Sequence, residues 1–147
     1  MVDFAGTEDG EFPFQVYFVK ERFQPVARRL RFTGAEQARP SPDFAKALGQ
    51  SKSLVVCPSN PFLSIAPILA VPSVKERIEH FAGPRIVVSP IVGGRALVGP
   101  AAKLLEELGH DVSCVGVAKF YRGLCDVFVV DEMDRDRAGE IEGLGMR

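Results

Sequence analysis

The chain has 147 residues, 46% of them hydrophobic and 25% charged, which suffices for one domain with a hydrophobic core and is too short for two. Its net charge is −1, and its basic residues are scattered apart from Arg28, Arg29 and Arg31, so its composition does not support a nucleic-acid-binding surface. No apolar run approaches the roughly 20 residues of a membrane span, and acidic residues follow Met1, so we expect a cytoplasmic protein whose partners are small molecules or protein.

We expect residues 1–34 to form an extended, hairpin-like segment. Residues 12–23 (FPFQVYFVKERF) and 26–34 (VARRLRFTG) flank Pro25 and are typical of two paired strands or two edge strands. A loop at residues 38–42 then leads into a short helix. There Ser41 is the candidate N-cap, Pro42 takes the first helical position, and the helix is expected to end at Gly49.

Residues 51–147 alternate between apolar, strand-like runs and helical patterns. Strands that are apolar on both faces and alternate with helices are typical of a parallel sheet flanked by helices. We therefore predict a Rossmann-like α/β core, which together with the hairpin segment makes one partial domain. The predicted strands are residues 53–57, 85–89, 112–118 and 127–131, and the predicted helices are residues 73–81, 99–109, 119–125 and 135–145.

The cysteine usage favours neither a disulfide framework nor a zinc site. The chain has three cysteines, an odd number, and none of them has CxxC spacing. Cys57, Cys114 and Cys125 each lie in an apolar, strand-like run. We expect all three to be buried structural thiols.

Ligands of open α/β sheets bind beyond the carboxyl ends of the strands, so the loops at that edge are the candidate site. All four should emerge at the same edge of a parallel sheet. Residues from Ser59 to Asp131 could therefore line one cleft. The four loops are PSNP (58–61), SPIVGG (89–94), AKFY (118–121) and DEMD (131–134).

The glycine-rich loop is the strongest candidate for binding a phosphate. Gly93, Gly94 and Gly99 allow backbone conformations that turn N–H groups toward an anion, and Gly99 leads into a helix N-terminus. A Walker-type site is not supported, because Pro100 and Ala101 stand where its lysine and hydroxyl residue would be. Lys103 could reach back to a phosphate from one turn inside the helix. The alternative is a glycine turn that only reverses the chain, beside a solvated lysine.

Small polar residues elsewhere at this edge could contact a nucleotide. Ser59 and Asn60 could hydrogen-bond a base or ribose, or they could instead satisfy their own turn. Ser64 and Ser89 stand near the same strand ends. Asp131, with Glu132 and Asp134 beside it, is a weak candidate for a magnesium ligand, because an acidic run at such a corner is more often an N-cap.

Three stretches resemble the 2-phospho-L-lactate transferase family of coenzyme F420 biosynthesis, called CofD in archaea and FbiA in actinobacteria. They are VVCPSNPFLSIAPILAVPSVKERI, IVVSPIVGGRALVGPAAKLLEELG and VSCVGVAKFY...CDVFVVDEMD. Residues 12–42 are similar to the middle region of the same family. The resemblance covers nearly all of the chain from Phe12 onward.

The resemblance implies transfer of a 2-phospholactyl or phosphoenolpyruvyl group from a guanosine diphosphate-linked donor to the deazaflavin Fo, with release of GMP and a requirement for Mg²⁺. The candidate contacts to such a nucleotide are the residues singled out above at the carboxyl edge, namely Ser59, Asn60, Ser64, Ser89, Gly93, Gly94 and Lys103. It identifies no catalytic residue in this chain. Such chemistry asks a protein mainly for positioning and charge stabilisation.

The chain also departs from that family. Members are about twice as long and begin with a glycine-rich phosphate turn and with residues that contact Fo and metal, so we expect a fragment completed by an N-terminal half. Apolar sheet faces without cover lead us to expect a homo-oligomer or poor solubility. The alternative is a non-catalytic nucleotide- or nucleotide-sugar-binding module related to gluconeogenesis factors, which share a similar strand-to-helix segment.

Overall fold

A computed structural model describes residues 4–97 and 99–147. The amino-terminal part forms a small antiparallel sheet of strands β1 (Phe4–Thr7), β2 (Gly10–Pro13) and β3 (Ala27–Arg31), in the order β2-β1-β3. β3 lies within the second stretch that was predicted to be extended. The β1–β2 hairpin precedes the first predicted stretch, apart from Phe12 and Pro13.

The prediction of an extended conformation is wrong for the centre of residues 12–23. Val16–Lys20 is π-helical, and the fully buried Tyr17 lies within it. The reason is the spacing of the aromatic residues, which recur three and four positions apart as on one face of a helix. The ring centroid of Phe14 lies 6.3 Å from that of Tyr17 and 5.5 Å from that of Phe18.

Helix α1 (Pro42–Gln50) confirms the predicted capping arrangement. The Ser41 hydroxyl accepts a hydrogen bond from the Phe44 amide at 3.2 Å, and Pro42 occupies the first turn. The helix extends one residue beyond the predicted end at Gly49. α1 leads into the parallel sheet.

The parallel sheet confirms the predicted α/β class. Its strands β4 (Leu54–Val56), β5 (Arg85–Val88) and β8 (Val127–Val129) lie in the order β4-β5-β8. The connecting elements are a π-helix at Pro61–Ile65, α2 (Ala66–Leu69), α3 (Val74–Glu79), β6 (Ile91–Val92), β7 (Arg95–Ala96), α4 (Ala101–Glu107), α5 (Cys114–Phe120), a 3-10 helix at Glu132–Arg137 and α6 (Ala138–Glu142).

The strand predicted at residues 112–118 is wrong, because this stretch starts α5. Its apolar residues are buried on all sides, and such a run is ambiguous between a buried strand and a buried helix. The Ser113 hydroxyl caps the helix by accepting from the Gly116 amide at 3.0 Å. A Cβ on Gly116 would lie 1.8 Å from the Asp111 carbonyl oxygen, so this approach requires glycine. Residues 118–121 therefore do not lie at the carboxyl edge of the sheet.

The two faces of the parallel sheet differ in packing. Side chains that alternate along a strand point to opposite faces. Val56, Val87 and Phe128 are paired across the strands and pack into the core. Their neighbours on the opposite face, Val55 and Val129, are 54% and 41% exposed.

The amino edge of the sheet is fastened by the Arg85 side chain. Its Nε donates to Asp126 Oδ2 at 3.0 Å, and one terminal nitrogen contacts Asp126 Oδ1 at 2.5 Å. The other terminal nitrogen donates to the carbonyl oxygens of Ile78, Glu79 and Gly123. Hydrogen bonds from Arg85 lower the pKa of Asp126 to about 2. This cluster joins β5, β8 and the end of α3.

The cysteine prediction is partly wrong. Cys114 and Cys125 are buried, and burial raises the pKa of both thiols. Cys57 is exposed, because it follows β4 on the side of the sheet that the core does not cover.

Among the described residues, no helix has the length and apolar character needed to cross a membrane.

Candidate functional site

The candidate site lies at the carboxyl edge of the parallel sheet. β4 and β5 are hydrogen-bonded neighbours, so the loops that follow them emerge side by side. This adjacency is the geometric condition for a cleft shared by Ser59, Asn60, Ser89, Gly93 and Gly94. β8 adds a third loop on the other side of β5.

Asn60 shapes the first loop. Its side-chain oxygen accepts from the amides of Phe62 and Leu63, at 3.0 and 3.1 Å, and so caps the helical run that begins at Pro61. The side-chain oxygen of Asn60 therefore satisfies its own turn, which was the alternative to a nucleotide contact in the sequence analysis. The side-chain Nδ2 is buried and has no hydrogen-bond partner among the described residues. A buried donor without an acceptor is costly, so this nitrogen is a candidate for a ligand contact.

The serines at this edge differ in accessibility. Ser59 is half-buried beside Asn60, and Ser64 is exposed one helical turn further on. Ser89 is buried. Its hydroxyl donates a hydrogen bond to the Ile91 carbonyl at 2.8 Å and accepts one from the Ile91 amide at 3.1 Å. Ser89 therefore shapes the turn that follows β5, while Ser59 and Ser64 stay accessible.

Gly93 and Gly94 form the two-residue turn between β6 and β7. Both have positive φ, 54° and 74°, as the favoured two-residue hairpin turns require. The alternative of chain reversal is therefore observed. The Gly93 amide donates to Asp134 Oδ2 at 3.0 Å, so the expectation that this amide is free for an anion is wrong in this structure. Their contact with a nucleotide stays a prediction.

Lys103 does not reach back toward the start of α4. Its Nζ contacts Glu107, one turn toward the end of the helix, and donates to the Pro25 carbonyl at 3.2 Å. Glu107 in turn accepts from the Ala27 amide at 3.0 Å. The pair therefore fastens α4 to the segment around Pro25 and Ala27, where β3 begins. Burial, together with the charge of Glu107, raises the pKa of Tyr17 in the π-helix to about 12.

Asp131 caps the 3-10 helix that follows β8. Its Oδ1 accepts from the Met133 amide at 3.0 Å, which is the N-cap role that the sequence offered as the alternative to metal binding. Residues 4–97 and 99–147 contain no group of three or more His, Cys, Asp or Glu side chains that could hold a metal ion. Asp131 alone does not make a magnesium site.

Asp134 is the residue whose role sequence reasoning missed. It is 6% exposed, and its bond to the Gly93 amide joins the loop after β8 to the glycine turn. A second bond, from the Ser89 amide to the Val129 carbonyl at 2.9 Å, continues the ladder between the two strand ends. The acidic run gave no signal that separated Asp134 from Asp131 and Glu132.

The structure thus brings the predicted residues together in part. The glycine turn and the loop after β8 are joined directly, and Asn60 with Ser59 lies beside them at the end of the neighbouring strand. Lys103 is directed elsewhere. The edge offers hydrogen-bond donors and a rigid turn, which suit the binding and orientation of a polar ligand.

A sequence model of a family described as "2-phospho-L-lactate transferase CofD" matches residues 3–141. The chain is 36% identical over 139 residues to a 2-phospho-L-lactate transferase of Methanosarcina mazei, covering 95% of this chain and 45% of that protein. It is 40% identical over 135 residues to a phosphoenolpyruvate transferase of Streptomyces griseus, covering 91% and 42%. The chain therefore spans less than half the length of these relatives.

A solved structure has a similar fold. The crystal structure of protein BH3568 from Bacillus halodurans matches with a TM-score of 0.57 at 16% sequence identity. The match covers 97% of this chain and 49% of that one. At this identity the likeness shows the fold alone.

Proposed function

The chain belongs to the 2-phospho-L-lactate transferase (CofD) family, and from this premise we propose that it is the nucleotide-binding part of such a transferase. The transferred group is 2-phospho-L-lactate or phosphoenolpyruvate. The donor is its guanosine diphosphate-linked form, the acceptor is the deazaflavin Fo, and GMP is released in a step of coenzyme F420 biosynthesis. The names of the two relatives support the identity of the transferred group. The identities of the donor and the acceptor are proposed here.

The observation that carries the proposal is the unpaired side-chain nitrogen of Asn60. It is a buried donor at the carboxyl end of β4, where α/β sheets bind ligands. The oxygen of the same side chain is fixed by two amides, so the direction of the nitrogen is fixed as well. A carbonyl oxygen of guanine, or a ribose or phosphate oxygen, would satisfy it.

The reaction itself is a displacement at phosphorus. The terminal hydroxyl oxygen of Fo forms a bond to the phosphorus that carries the three-carbon group, the bond from that phosphorus to the bridging oxygen breaks so that this oxygen leaves with GMP, and the hydroxyl proton passes to the solvent. Catalysis of this kind depends on holding the donor and acceptor in line. The part proposed for this chain is to hold the guanosine end of the donor through Ser59, Asn60 and Ser64.

Mg²⁺ belongs to the proposed reaction, and the described residues do not fit it by themselves. Mg²⁺ at phosphate sites is usually held by one or two carboxylates together with substrate phosphates. Asp131 is the one candidate carboxylate that the sequence offered, and its Oδ1 already caps a helix. We therefore assign no step to the ion and expect its remaining ligands to lie outside this chain.

Competence for turnover is proposed to require more than the 147 residues. The chain spans 45% of the M. mazei relative, and its described residues include no group of three or more His, Cys, Asp or Glu side chains that could hold a metal ion. We expect it to bind GDP and to leave Fo unbound.

A cytoplasmic location is part of the same proposal, since guanine nucleotides are cytoplasmic metabolites.

The test is calorimetric titration of the chain with GDP and with Fo separately, each with and without Mg²⁺. Saturable GDP binding without Fo binding is the expected result. Asn60→Ser keeps a good N-cap oxygen while removing the donor nitrogen, and should weaken GDP binding about tenfold or more, or about 1.4 kcal/mol. Ser41→Ala, which removes a cap remote from the site, is the control and should leave GDP affinity unchanged. Fo binding without GDP binding would contradict the proposal.

A further inference from the structure

The parallel sheet has one bare apolar face, which we call the outer face. It consists of Val55 on β4, Ile86 and Val88 on β5, and Val127 and Val129 on β8. Cross-strand pairing places Val55 beside Ile86 and Ile86 beside Val127, so the five side chains share one face. Val55 and Val129 are exposed and the other three are only partly buried. In the part of the chain that the structure describes, none of the five belongs to the core or packs against it.

The winding of the chain explains why this face is bare. Crossovers between parallel strands are right-handed in about 98% of cases. The path from β4 to β5 to β8 moves across the sheet in one direction, so both crossovers place their helices on the same face. The backbone of Arg147 continues this direction, because its amide donates to the Asp126 carbonyl at 2.9 Å and its carbonyl accepts from the Phe128 amide at 2.8 Å.

The same rule identifies what can cover the outer face. Helices reach that face by right-handed crossovers only if their strands are added in the opposite direction, beyond β4. β4 has its other edge open among the described residues, since its pairing is with β5. The Leu54 amide donates toward the β5 side, to the Pro84 carbonyl at 3.0 Å, and amides alternate along a strand. The Val55 amide therefore points to the open edge.

We propose that the outer face and the open edge of β4 together are the docking surface for the part of a CofD-family polypeptide that this chain does not span. The occupant adds parallel strands beside β4 and lays apolar helix faces over Val55 and Val129. Parallel sheets of α/β proteins are covered by helices on both faces, so a bare apolar face indicates that further helices pack there. The chain spans 45% of the M. mazei relative, which leaves more than half of that polypeptide to supply these elements. The inference rests on family membership and does not depend on the nucleotide proposal.

The test is co-expression of the chain with the portion of the M. mazei relative that lies outside its match to this chain. We expect a 1:1 complex by size-exclusion chromatography with light scattering. Val55→Lys and Val129→Lys should each weaken the complex at least tenfold, because they place an ammonium group in an apolar interface. Val19→Lys is the matched control, since Val19 is 65% exposed and lies in the π-helix far along the chain from the sheet. It should change the affinity less than twofold.

A second measurement does not depend on the variants. Amide hydrogen exchange of Val55, followed by NMR, should slow at least tenfold in the complex, because an added strand accepts a hydrogen bond from that amide. Circular dichroism of each variant alone checks that it folds. Absence of a complex, a complex that Val55→Lys and Val129→Lys leave intact, or an unchanged Val55 amide would each overturn the proposal. A homodimer that Val55→Lys dissociates would also overturn it, because a second copy would then be the occupant.

Discussion

The two edges of the parallel sheet are built differently. At the amino edge, the Arg85 side chain satisfies its donors with Asp126 and with three carbonyl oxygens, and is 14% exposed. At the carboxyl edge, Asn60 Nδ2 has no hydrogen-bond partner among the described residues, and the half-buried Ser59 lies beside it. The polar groups of the amino edge are thus used in hydrogen bonds that hold the fold together. The carboxyl edge keeps polar groups available for a ligand.

This difference predicts that substitutions at the two edges change different properties. Changes at the amino edge should lower the free energy of unfolding. Changes at Asn60 should alter ligand affinity with little effect on stability. The following predictions run from the largest expected change in stability to the smallest.

Arg85→Met should lower the free energy of unfolding by about 2–3 kcal/mol, because hydrogen bonds to charged groups are lost and Asp126 keeps an unpaired charge. Chemical denaturation measures the change. Arg135→Met is the control, since the Arg135–Glu132 pair is 80% and 82% exposed. Exposed pairs contribute about 0–1 kcal/mol. Equal losses in the two variants would show that the amino edge is not specially fastened.

Lys103→Met should lower the free energy of unfolding by about 1–2 kcal/mol, because Glu107 loses its cation and is 11% exposed. From the sequence alone, Lys103 was a candidate phosphate contact, and in that role the same change would weaken GDP binding and leave stability nearly unchanged. Thermal denaturation and GDP titration of the same variant separate the two roles. Unchanged stability with a tenfold loss of GDP affinity would return Lys103 to the nucleotide site.

Lowering the pH should remove the contribution of Asp126 to stability. Its pKa is about 2 in the folded chain, below the ordinary value of 3.8, so the contribution is present above about pH 4 and is lost as the pH falls from about 4 to 2. The Asp126 side chain is 36% exposed, so solvent screening reduces the effect to about 1 kcal/mol. Asp126→Asn should flatten this part of the stability–pH curve. A curve that keeps its slope in Asp126→Asn would assign the loss to other carboxylates.

Asn60→Ser should change the free energy of unfolding by no more than about 0.5 kcal/mol, because Ser and Asn are comparable N-caps. Removal of the unpaired, buried nitrogen also removes an unfavourable group. Denaturation of the parent and the variant side by side measures the change. A loss of 2 kcal/mol or more would mean that the nitrogen has a structural partner and would weaken its assignment to a ligand.

The sequence predicted most of the parallel sheet and less of the site. Alternating patterns located β4, β5 and β8, and cap signals located α1, because these features are local. Residues 112–118 were taken for a strand because a run buried on all sides lacks a distinguishing period. The bond from the Gly93 amide to Asp134 could not be predicted, because it depends on how two loops 41 residues apart meet at the sheet edge. The contact of Lys103 with the Pro25 carbonyl could not be predicted for the same reason, because it joins residues that are far apart in the chain.

The ligand contact proposed for Asn60 can be measured directly, because Asn60 is the chain's one asparagine. With ¹⁵N-asparagine labelling, its side-chain amide gives a single pair of NMR signals that can be followed during titration with GDP. We expect both signals to shift and to saturate together with GDP binding, because Nδ2 gains an acceptor. GDP binding that saturates while the Asn60 side-chain signals stay in place would contradict it.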